Sequence, residues 1–226
     1  MPISLIGASL DQFVQAVFDH DADPEAEPWY FDSNVRFEVE PEYQVSLLTR
    51  LFRQSEMLLA RYSNAQIEAG LWCIFGGVFA DCFTQLIWKQ ELAFEERGAL
   101  VASVYDLYHQ VLARAPNASI DFIHADDPPR RFETIDYMAT DLLVDIRNDD
   151  EPSNADAVRV CDECLRLFER LLNHPAPVAQ YAALHGLGHL PHARREEVIA
   201  EYIRTHPDLT PDQRTYASEA QKGDVL

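Results

Sequence analysis

Residues 173–204 read NHPAPVAQYAALHGLGHLPHARREEVIAEYIR, and this stretch decides the fold class. It opens on a prolyl turn, His174-Pro175-Ala176-Pro177. Proline fixes φ and lacks an amide proton, so it belongs before or at the first turn of a helix. Behind it Val178, Ala182, Ala183, Leu184 and Leu187 form a helix-period apolar row, with small residues where a second helix must come close. Pro191 interrupts the row, and a second amphipathic run follows to Arg204. The expectation is two helices joined by a short break.

The stretch before it, 155–173, is strongly amphipathic and predicts a helix whose buried stripe is Val158, Cys161, Leu165, Phe168, Leu171 and Leu172. Earlier segments carry the same period. Leu10, Phe13, Val14, Val17 and Phe18 predict a helix capped by Ser9, and Val45 to Leu59 predict another that runs to about Tyr62. Residues 67–88 are apolar almost all round; with Glu68 and Asp81 inside, they read as one central buried helix carrying Gly76-Gly77 at its middle. Helices are also expected over 98–115 and 132–147, and over 210–221, where Thr210 caps and Pro211 takes the first helical position. Only 29–40 alternates like a short strand or an extended lead-in. The fold class is all-α, an irregular α-α superhelix with little or no β, in one helical domain over 1–226. Within it, 1–40 is partly extended and 132–226 forms the repeat-like half.

Residues 155–190 resemble a HEAT or armadillo-like repeat: an amphipathic helix, a Pro-containing turn, then VAQYAALHGLGHL with Val178, Ala182-Ala183, Leu184, Leu187, Gly188 and Leu190 in the second-helix pattern. Gly186 stands where the family prefers alanine. The resemblance implies a scaffold or adaptor that grips another protein, and it places His185 and His189 in variable, surface-facing slots as partner-binding candidates.

Charge narrows the partner. With 38 acidic against 18 basic side chains the formal net charge is -20, which repels nucleic acid and anionic membranes and steers basic partners inward. Residues 148–156, NDDEPSNAD, form an acidic turn; they lack the glycine and terminal glutamate of an EF-hand loop and carry Pro152. Asp149, Asp150 and Glu151 are therefore candidates for meeting a basic protein, not calcium ligands. The N-terminal stretch MPISLIGASLDQF has no basic n-region and no long apolar segment, so a cytoplasmic protein is expected. Cys73, Cys82, Cys161 and Cys164 all fall in apolar helical patterns, as reduced core thiols do.

One constellation suits a metal: Cys161 and Cys164, followed by His185 and His189 four apart on one helix face. Against it, repeat-like packing turns the histidines away from the helix that carries the thiols. No GxSxG, Gly-rich phosphate loop or His-Glu dipeptide occurs. The expectation is a non-enzymatic acidic module with no cofactor. Its sharper form is an immunity protein that covers the active surface of a basic bacterial toxin. The alternative is a metal-binding helical protein or metalloenzyme, and homo-oligomerisation is a further possibility.

Overall fold

A computed structural model of the chain describes residues 3–22, 27–31, 37–76, 83–114, 132, 134–144 and 154–225. Among them are eleven α-helices: α1 (Leu10–Phe18), α2 (Pro41–Arg53), α3 (Ser55–Leu59), α4 (Asn64–Phe75), α5 (Phe83–Trp88), α6 (Phe94–Gln110), α7 (Ile135–Asp141), α8 (Ala155–Leu172), α9 (Pro177–His189), α10 (Arg195–Thr205) and α11 (Pro211–Lys222). Two-residue strands β1 (Ile3–Ser4) and β2 (Phe37–Glu38) pair in parallel. The fold is all-α, and none of these helices is long and apolar enough to cross a membrane. The chain divides into two compact units, Met1–Val111 and Leu112–Leu226.

In the first unit α2 packs along α6, while α1 lies on α2 and α4. Its core is aromatic: Phe52 stacks on Phe75 with ring centroids 5.8 Å apart, and Phe83 closes on Phe75 at 4.9 Å. The helix expected from Val45 to about Tyr62 breaks at Gln54, which caps α2. The long helix expected over 67–88 is described as α4 and α5. Helix α4 ends at Gly76, whose amide donates to the Trp72 carbonyl at 2.7 Å. Ser9 and Ser63 each close a capping box with the glutamine three residues on, satisfying amides that a helix start leaves unpaired.

The second unit is organised around α9, which packs on α7, α8, α10 and α11. Every residue from Tyr181 to Gly188 is buried, the condition of a helix surrounded by others. Small residues set the approach of α8. A Cβ built on Gly186 would stand 2.6 Å from Phe168 Cζ, and one on Gly188 would stand 2.2 Å from Val225 Cγ2. A methyl at either position would have to displace a buried ring or the Val225 side chain, which already fill the space. Phe168, Leu165, Leu171 and Leu172 form the buried stripe of α8, whereas Val158, expected in that stripe, is 43% exposed. It lies in the first turn of α8. Thr210 closes a capping box at the start of α11, and Pro211 occupies its first turn.

Candidate metal centre

Helix α9 carries HGLGH at its C-terminal end, and four residues at 3.6 per turn place His185 and His189 one above the other. Gly186, a step further round, faces Phe168 of α8. His185 therefore turns away from α8, toward α7 and α11: its ring meets Tyr137 of α7 edge-on at 5.3 Å, and its Nδ1 lies 2.7 Å from the Tyr216 hydroxyl of α11. The expectation of a surface-facing His185 is corrected here. The residue is 2% exposed, because α7 and α11 cover it where solvent was expected. His189 is half-buried, with its side chain 27% exposed.

Asp141, the last residue of α7, completes the group. One ligand atom from each of Asp141, His185 and His189 lies within 4.8 Å of the others, and no other group of three or more potential ligands is found among the described residues. Cys161 and Cys164 are therefore outside such a group. They are buried free thiols of α8. Burial, and secondarily Asp162, pushes the Cys161 thiol up to about 11, and burial holds Cys164 higher still. Thiols so desolvated resist the deprotonation that ligation requires. Asp149, Asp150 and Glu151 lie outside the described residues.

The Asp141 carboxylate is 5% exposed as a residue, and its Oδ1 has no hydrogen-bond partner. His189 Nε2 comes only to 3.5 Å of that oxygen. This separation is long for a hydrogen bond. It does match two donors of one ion: bonds of 2.0–2.1 Å at a tetrahedral angle set donor atoms about 3.3 Å apart. Burial raises the Asp141 carboxyl above the ordinary range, opposed by His189. Burial, with a smaller contribution from His189, lowers His185 to about 4, so its imidazole is neutral at pH 7, the state in which histidine binds metals.

Sequence reasoning found His185 and His189 but missed Asp141. The available signal was an acid inside an apolar helical run, YMATDLL, where a charge has no solvent to face. No family model matches the sequence, and neither a curated protein nor a solved structure matches it.

Proposed function

We propose that the chain is a metal-binding helical protein in which Asp141, His185 and His189 hold one divalent transition-metal ion. The observation that carries this reading is the convergence of the three ligand atoms around a buried carboxylate oxygen that has no hydrogen-bond partner. A buried carboxylate oxygen without a hydrogen-bond partner is costly by several kcal/mol, and a dication beside it offsets that cost directly. Two imidazoles and one carboxylate suit zinc, iron(II), nickel or copper better than the hard cations magnesium and calcium. The test is zinc titration of full-length protein made without a histidine tag and stripped with chelator. One equivalent is expected to bind, with the tight site lost in Asp141→Asn and His185→Ala. Failure of the wild-type protein to take up zinc, cobalt or nickel, or undiminished uptake by both variants, overturns the reading.

A second reading, a repeat-like acidic module for a basic protein, is favoured by the net charge of -20. Its sharper form is a cytoplasmic immunity protein against a cationic bacterial toxin. His185, being buried, is not among the groups that would touch such a client. Low-salt capture followed by identification tests it: the partner must be basic, and capture must weaken as salt screens the charges. A salt-insensitive or acidic partner counts against it.

A further inference from the structure

The two ring nitrogens of His185 have different surroundings. Nδ1 is engaged by the Tyr216 hydroxyl at 2.7 Å, which leaves Nε2 as the nitrogen available to an ion. Tyr216 is itself held in place. Its ring stacks on Tyr181 with centroids 4.4 Å apart and planes 21° from parallel, and Tyr181 makes an edge contact with Tyr137 at 5.9 Å. A phenol oxygen carries lone pairs that an N–H can meet, so the 2.7 Å contact is satisfied when the proton of His185 sits on Nδ1.

We propose that Tyr216 is the positioning residue of the metal centre: its hydroxyl accepts the Nδ1–H of His185, fixes the tautomer with the lone pair on Nε2, and thereby ties helix α11 to metal binding. The inference rests on the metal reading above. In metal sites of known type, the ligating histidine donates its other N–H to an outer partner, and losing that partner weakens metal affinity roughly 10- to 100-fold. Here the outer partner comes from the last helix of the unit, 31 residues beyond His185. Docking of α11 and metal affinity are thus linked: by reciprocity, whatever loosens one weakens the other.

The experiment uses the full chain, stripped of metal, in three forms: wild type, Tyr216→Phe and Tyr181→Phe. Zinc affinity is read by competition with a chromophoric chelator, and the His185 tautomer by long-range proton–nitrogen NMR. Tyr216→Phe keeps the stacked ring and removes only the acceptor oxygen. The expected result is one tight site in wild type with the proton of His185 on Nδ1, a roughly 10- to 100-fold loss of affinity in Tyr216→Phe, and a smaller loss in Tyr181→Phe. Wild type that binds zinc, with Tyr216→Phe binding within about threefold of it, overturns the role of Tyr216 and leaves the metal reading standing. Wild type that binds no metal overturns the metal reading instead, and the inference falls with it. Should Tyr216→Phe fail to fold, the wild-type tautomer decides: a proton on Nε2 in the metal-free protein is enough to reject the proposal.

Discussion

Gly186 and Asp141 show how single residues shape the second unit, and each carries a prediction of definite sign. Alanine for glycine inside a helix contributes roughly 0.5–1 kcal/mol through backbone entropy, whereas forcing a methyl into a filled core costs typically 1–3 kcal/mol. A Cβ at Gly186 would meet the Phe168 ring at 2.6 Å, and that ring is fully buried, so the packing cost wins. Gly186→Ala is expected to lower stability by about 1 kcal/mol in urea denaturation, with part of the loss recovered in a Gly186→Ala, Phe168→Leu double variant. Asp141→Asn runs the other way. If the carboxylate is there to bind an ion, the metal-free variant should match or exceed metal-free wild type in melting temperature, because a buried charge without a hydrogen-bond partner on Oδ1 has been removed. A structural role for Asp141 requires the opposite sign. At the cysteines, burial has pushed Cys73 up to about 12 and Cys161 up to about 11. Both, with Cys164, are expected to resist alkylation at pH 8 in the native protein and to react in urea, as peptide mapping by mass spectrometry would register.

At the scale of elements, the helix caps at Ser9 and Thr210 were legible in the sequence, and the helix surroundings were not. Ser9, Ser63 and Thr210 each accept from the third helical amide as their side-chain chemistry dictates. Thr210→Ala should therefore cost about 1 kcal/mol measured by thermal unfolding. Because α11 carries Tyr216, it should also weaken zinc binding without touching a ligand. What the pattern of α9 did not reveal was the direction in which His185 points. An amphipathic helix such as α8 declares its inner face by its apolar stripe, and its expected core residues Cys161, Leu165, Phe168, Leu171 and Leu172 are buried. Helix α9 is apolar nearly all round, so its sequence marks no face as outer. The repeat-like pattern assigned His185 to solvent. Helices α7 and α11 occupy that side instead.

For the whole molecule, the division at Val111 has a consequence for the site. Asp141, His185, His189 and Tyr216 all belong to the unit Leu112–Leu226, which has its own buried core from Leu112 through Val225. That unit expressed alone is expected to show helical circular dichroism, cooperative melting and one equivalent of bound zinc. A soluble but molten or metal-free product would mean that the first unit is needed to complete it. The sequence by itself determined the all-α class, the caps at Ser9 and Thr210, the α8–turn–α9 hairpin and the net charge of -20. These follow from periodicity, proline and capping chemistry, which act over a few residues. Only the tertiary structure decided that His185 is buried and that Asp141, 44 positions before it, shares its site. The reason is physical: which helices dock on a helix that is apolar on every side depends on steric fit among Gly186, Phe168, Gly188 and Val225, and such fit has no period in the chain.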